Sequence, residues 1–158
     1  MGIPLYGQNK DGEALGSVSQ SRGYMKITAG VTLDGTDGGV VHIADTDACA
    51  IVLPEITAAL HGVEYKFIMA NDAGGSITIT ATDQVGDFYQ GTLAVHSVDA
   101  DDGFAANGSS NNIITMNAGT TGGLLGSEVN LRAAYLTGWI VWGNVFGTNV
   151  TGATPFSG

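Results

Sequence analysis

Charge is scarce in this chain. Charged residues make up 13% of the 158, about half the quarter that soluble proteins usually carry. Bases are scarcer still, with 5 Lys and Arg against 15 Asp and Glu and a formal net charge of −10. Phosphate binding needs clustered Lys and Arg, so nucleic acid is not expected as a direct partner. A single cysteine, Cys49, excludes an internal disulfide. Beside the Ile51-Val52-Leu53 run it is expected to be a buried free thiol. No stretch approaches the roughly 18 apolar residues of a transmembrane helix, so no membrane is expected. Met1-Gly2-Ile3-Pro4 has neither the basic start nor the apolar segment of a signal peptide, and synthesis without standard export is expected. Proline is rare, 3 residues against 25 glycines. The glycines follow no G-X-Y period, which excludes collagen. No repeat of 20–50 residues stands out, which disfavours propellers and solenoids.

What is present is hydrophobic content of 44%, enough for one domain with a real core. With so little charge, the surface must be covered by Thr, Ser, Asn, Gly and apolar groups. Such a surface suits burial against partners. The charge is also uneven. Residues 1–26 hold Lys10, Arg22 and Lys26 against Asp11 and Glu13, whereas residues 27–158 hold Lys66 and Arg132 against thirteen acids. A near-neutral arm could dock where the acidic body would be repelled.

Strand patterns dominate from Tyr24 onward. Tyr24 to Thr28, Val40 to Ile43, Ala50 to Leu53, Val63 to Met69, Ser76 to Ala81, Thr92 to Val98 and Ile113 to Met116 are short apolar or alternating runs, set apart by Asp-, Gly- and Asn-bearing turns. Asn71 to Gly75 is expected to be a hairpin loop. Pro54 can open a one- to two-turn helix with Ile56, Ala59 and Leu60 on one face and Gly62 at its end. Residues 99–112, DADDGFAANGSSNN, are expected to be a polar surface loop. Glu128 to Tyr135 and Gly138 to Phe146 form a final strand pair. The fold expected is all-β and mostly antiparallel: a compact β-sandwich or barrel-like domain over residues 24–147. It carries one short helix, an extended N-terminal arm at 1–23 and a C-terminal tail at 148–158.

Nothing in the pattern amounts to a reaction centre. His42, His61 and His96 lie far apart and lack the short spacing of metal ligands. Asp99, Asp101, Asp102 and Gly103 resemble the start of a calcium loop. The EF-hand order fails, because Gly103 falls at position 5 and Ser110 at position 12. A calcium site built from several loops is the open alternative. There is no nucleophile elbow, no phosphate-binding glycine loop with a lysine and no Cys/His dyad. No enzyme activity, cofactor or metal is therefore expected. Tyr65, Phe67, Trp139 and Trp142 could form a sugar-binding platform, but their strand positions favour core or interface packing. In the last strand Trp139 and Val141 share one side and Ile140 and Trp142 the other. Both sides are apolar, which predicts a strand covered on both faces, the second cover being another subunit at Ile140 and Trp142.

The run GGVVHIADTDACAIVLPEITAALHGVEYKFIMANDAGGSITITATD, followed by SEVNLRAAYLTGWIVWGNV, resembles small β-rich virion proteins of tailed bacteriophages, most of all the head-decoration (cement) proteins of marine phages. The likeness rests on Leu53-Pro54, Ala58 to Gly62, Tyr65 and Phe67, Ile77 and Ile79, then Val129, Leu131, Gly138, Trp139 and Val141. It covers roughly residues 26–147. The turn before Gly138-Trp139 is Tyr135-Leu136-Thr137, where that family usually has Asp-Gly. The resemblance implies a structural virion protein that binds the outside of a phage head as an oligomer, often a homotrimer, and stabilises the shell. Its partner would then be the major capsid protein, its place the capsid exterior, and its site of assembly the bacterial host cytoplasm. Tyr6, Lys10, Arg22 and Lys26 of the arm are the candidate capsid contacts. The alternative is a tail-fibre or receptor-binding tip whose 99–112 segment meets a host surface glycan.

Overall fold

The computed structural model describes residues 23–82, 88–97, 101–134, 138–148 and 153–158. Alternation of apolar and polar residues sends one side of each strand inward. In Glu64–Met69, for example, Tyr65, Phe67 and Met69 are buried while Glu64 is exposed. The strands are β1 (Tyr24–Ile27), β2 (Val31–Thr32), β3 (Val41–Ala44), β4 (Cys49–Val52), β5 (Glu64–Met69), β6 (Ile77–Thr80), β7 (Tyr89–His96), β8 (Asp101–Asn107), β9 (Ile113–Met116), β10 (Glu128–Ala133), β11 (Trp139–Phe146) and β12 (Phe156–Ser157). They form two sheets with one core between them. The large sheet has the order β1-β3-β5-β10-β11-β7-β8 and the small one β12-β9-β6-β4-β2.

The all-β expectation holds, but "mostly antiparallel" needs correcting. Five of the ten strand pairings are parallel and five antiparallel. From β1 to β6 the chain alternates between the sheets. Each return lays a strand parallel to the one before, β1 on β3 on β5 and β2 on β4 on β6. This winding is solenoid-like, against the sequence expectation. Its turns are unequal, with Tyr24 pairing Val41 and Val41 pairing Lys66, 17 and 25 residues apart. Unequal turns leave no sequence period. Asn71 to Gly75 is accordingly a corner between sheets instead of a hairpin, since Ile77 pairs with Cys49 in the small sheet. From β7 onward the strands close the structure through five antiparallel pairings and one parallel one, β7 on β11.

Other boundaries shift for local reasons. Asp101–Asn107 is a strand, paired antiparallel with β7, where a loop was expected. The helix expected after Pro54 is only a 3₁₀ turn at Ala58–Leu60, with Leu60 buried. A second such turn, Gly35–Asp37, carries a reciprocal cap between Asp34 and Asp37. The 148–158 tail is corrected at its end, where β12 extends the small sheet and Phe156 is 4% exposed. Cys49 is half-buried instead of buried, and that burial raises its thiol pKa.

The small sheet contributes an apolar row, Ile51, Ile79, Ile114 and Phe156, one residue from each of four adjacent strands. Facing it are Tyr65, Phe67, Leu131, Trp139 and Val141 of the large sheet, all buried. Trp139 meets Tyr65 edge-on at 5.5 Å between centroids, a preferred aromatic geometry. Two tyrosine hydroxyls bind backbone across the core. Tyr89 donates to the Ile79 carbonyl (2.9 Å), tying the sheets together, and Tyr65 donates to the Asp34 carbonyl (2.8 Å). Burial pushes the Tyr65 phenol up to about 12. At Gly91, with φ +132°, a Cβ would stand 2.0 Å from the Val141 carbonyl oxygen. Only glycine lets β7 lie this close to β11.

Candidate functional site

The two-layer fold leaves the outer face of each sheet without a cover inside the described chain, and that of the seven-stranded large sheet is the broader and carries the exposed aromatic residues. Register lines up its outward residues in rows. One row runs Tyr24, Val41, Lys66, Asn130, Trp142 and Thr92, and another Glu64, Arg132, Ile140 and Gln90. Tyr24 is 67% exposed, Ile140 42%, Phe146 40% and Trp142 37%. They belong to the same face as the half-buried Ile43 and Ile68. Ile140 and Trp142, the residues singled out as an interface, thus share one open face, while Trp139 and Val141 point into the core.

All three Lys and Arg of the described residues stand on this face or its margin, each against an acid. Lys26 meets Asp45 (2.5 Å), Lys66 meets Glu128 (2.7 Å), and Arg132 binds Glu64 through Nε (2.9 Å) and Nη2. The Arg132 guanidinium also lies over the Trp142 ring, 5.5 Å from its centroid. The Lys66 ammonium holds the Glu128 carboxyl below its usual range, and the Asp45 hydrogen bond raises Lys26. Exposed pairs like these contribute little to folding stability, because water and salt screen them. Their larger effect is to leave this face nearly neutral on an acidic protein. The acids of the other surfaces, such as Asp34, Asp37, Asp47, Glu55 and Asp72, face no Lys or Arg among the described residues.

At the far end of the face His96 stacks on Phe146 with centroids 5.5 Å apart. Its Nδ1 lies 3.0 Å from Asp101 Oδ1 and its Nε2 3.1 Å from Asn144 Oδ1. Both contacts favour the cation, the Asn144 bond most, and raise the imidazole pKa. His42 is its opposite. It is fully buried between Tyr65 and Phe67, with Nδ1 3.3 Å from the Lys66 carbonyl and Nε2 without a partner. Burial lowers its pKa.

The other candidate groupings do not come together. Asp101 and Asp102 alternate to opposite faces of β8 and Asp101 is engaged by His96; Asp99 lies outside the described residues. Of the possible sugar platform, Tyr65, Phe67 and Trp139 are in the core, apart from Trp142. A cleft of about 390 Å³ opens between Gly38–Val41 and Gly62–Glu64. The two ionised groups on its wall, Glu64 and Lys66, are already paired. Among the described residues no three His, Cys, Asp or Glu side chains gather as a metal site would require. Tyr6, Lys10 and Arg22 lie outside the described residues. Lys26, grouped with them as an arm contact, is instead part of the body, in edge strand β1 and paired with Asp45.

No family model matches the chain, and no curated protein matches it either.

Proposed function

We propose that this chain is a structural assembly protein that self-associates and decorates the outside of a tailed-phage head, stabilising the shell. The observation that supports this reading most is the open face of the large sheet. It combines exposed Tyr24, Ile140, Trp142 and Phe146 with charges neutralised in pairs. Aromatic residues and Arg are the types enriched where proteins bind one another, and a broad exposed apolar patch on a small domain marks an interaction surface. The described surface offers a docking face and no grouping of reactive side chains. In this reading Ile140 and Trp142 lie between subunits of a homotrimer, and the 1–23 segment reaches the major capsid protein. Cementing is then mass action: a protein that binds only the assembled shell stabilises that state, and many weak contacts repeated over a lattice reinforce one another.

Co-sedimentation tests it. Purified protein is mixed with phage heads assembled without decoration and spun through a cushion. The protein should travel with the heads, and Trp142→Glu should remain behind. Wild-type protein left in the supernatant would overturn the reading. Gold labelling confined to tail tips would favour a receptor-binding module instead, although the 99–112 segment on which that alternative relied contains β8, an edge strand of the large sheet.

A further inference from the structure

One ion pair of the open face has a third member. Lys66 Nζ donates to Glu128 Oε2 (2.7 Å), and Asn130 Nδ2 donates to Oε1 of the same carboxylate (2.9 Å). Lys66 and Asn130 also stand directly opposite each other in the antiparallel pairing of β5 with β10. That pairing sets their Cβ atoms about 4.5–5.5 Å apart on one face. A primary amine, a carboxamide and a carboxylate hydrogen-bonded to both therefore meet at one point. The other ion pairs of the face are built differently. Ile43 stands across from Lys26, and Glu64 and Ile140 stand across from Arg132, so neither base has a carboxamide opposite it. Val41 and Trp142 flank Lys66 and Asn130 in the same row, and Lys66, Glu128 and Asn130 are all half-buried.

We propose that Lys66 and Asn130 join within one chain through an isopeptide bond, with Glu128 carrying the proton. The Glu128 carboxylate takes a proton from the Lys66 ammonium, and the freed amine attacks Asn130 Cγ. Glu128 returns that proton to Nδ2 as the Cγ–Nδ2 bond breaks. The Nζ–Cγ bond remains as a secondary amide. Ammonia leaves and carries off the second proton of the attacking nitrogen as ammonium ion. The carboxylate is regenerated, and nothing is oxidised or reduced. Both contacts of Glu128 lie within the roughly 2.6–3.2 Å that proton transfer requires, and two paired strands hold amine and carboxamide together, which supplies the proximity term. The product is a staple between neighbouring central strands of the large sheet. It ties β5, in the parallel winding, to β10, in the half of the chain that closes the structure. The inference is independent of the function proposed above.

Intact-mass spectrometry of the full chain tests it, over days of incubation at neutral pH and with a proteolytic map of each sample. Wild type should lose the mass of one ammonia. Its map should show the peptides holding residues 66 and 130 as one branched species, and the denatured chain should run faster on a gel because it is looped. Lys66→Arg keeps the charge beside Glu128 but has no primary amine, and should keep its full mass. Glu128→Gln keeps the shape but cannot carry the proton, and should form the link many times more slowly. Both substitutions fall on half-buried surface positions, and circular dichroism checks that each variant is folded. A wild-type mass equal to that of the unlinked chain at every time overturns the proposal. So does an ammonia loss that persists in Lys66→Arg or maps elsewhere, such as a succinimide at Asn107-Gly108. A link that forms at the wild-type rate in Glu128→Gln overturns the role given to Glu128.

Discussion

The two tryptophans of β11 lie three residues apart on opposite sides of one strand, and replacing each by alanine separates core from interface. Trp139 is 0% exposed and packs against Tyr65. Trp139→Ala removes a large buried ring and leaves a cavity, which costs about 3–5 kcal/mol, a large share of the roughly 5–15 kcal/mol that holds a domain folded. Trp142 is 37% exposed, and its main intrachain partner is the Arg132 guanidinium. An exposed cation–π contact is worth about 0.5–1 kcal/mol, so Trp142→Ala should cost about 1 kcal/mol of folding stability. Association should show the reverse order. A central aromatic of an interface contributes about 2 kcal/mol or more, so Trp142→Ala should weaken self-association about thirtyfold. Urea unfolding followed by far-ultraviolet circular dichroism, on samples dilute enough to separate the chains, reads the first quantity. Concentration-dependent light scattering reads the second. A Trp142→Ala chain as destabilised as Trp139→Ala would refute the reasoning, because Trp142 would then be covered within its own chain.

The two described histidines with shifted pKa values should titrate on opposite sides of the ordinary value of 6.5. NMR of the imidazoles should place His42 below it and His96 above it. His42, lowered, contributes stability that is present above pH 6.5 and is lost as pH falls through its folded value. His96, raised, contributes below pH 6.5 and fades as pH rises through its folded value. His42 should dominate on acidification, because it is fully buried with Nε2 unpartnered while the His96–Asp101 pair is exposed and screened; unfolding free energy that rises between pH 6.5 and 5 would contradict this. Gly91→Ala should cost about 3 kcal/mol or more in a thermal melt, combining a strained φ with overlap on the Val141 carbonyl. A loss under about 1 kcal/mol would mean that β7 and β11 can part freely. Phe156→Ala should cost about 3 kcal/mol in urea, since Phe156 completes the inner row of the small sheet; an unchanged midpoint would restore the reading of residues 148–158 as a tail.

Strand positions were legible wherever one side of a strand meets the core, as in Tyr65-Lys66-Phe67-Ile68-Met69 and Ile77-Thr78-Ile79. Alternation marks the side a residue faces, however, and says nothing of the neighbouring strand. The parallel winding of β1 to β6 was therefore hidden, and its unequal turns removed the period that might have shown it. β8 escaped notice because Asp101, Asp102, Gly103 and Asn107 are poor strand formers. They are tolerated on an edge strand paired only with β7, with Phe104 and Ala106 turned inward. Phe156 escaped because a two-residue strand has no pattern to read. The Ile140 and Trp142 face was legible because both sides of β11 are apolar, and a single domain of two layers covers only one of them.

The most direct test of the central claim is the mass of the full chain in solution, measured by light scattering over a concentration series. The account predicts a species of about three times the 16.1 kDa of one chain, dissociating on dilution and shifted toward monomer by Trp142→Ala. A wild-type mass of one chain at every concentration would contradict it.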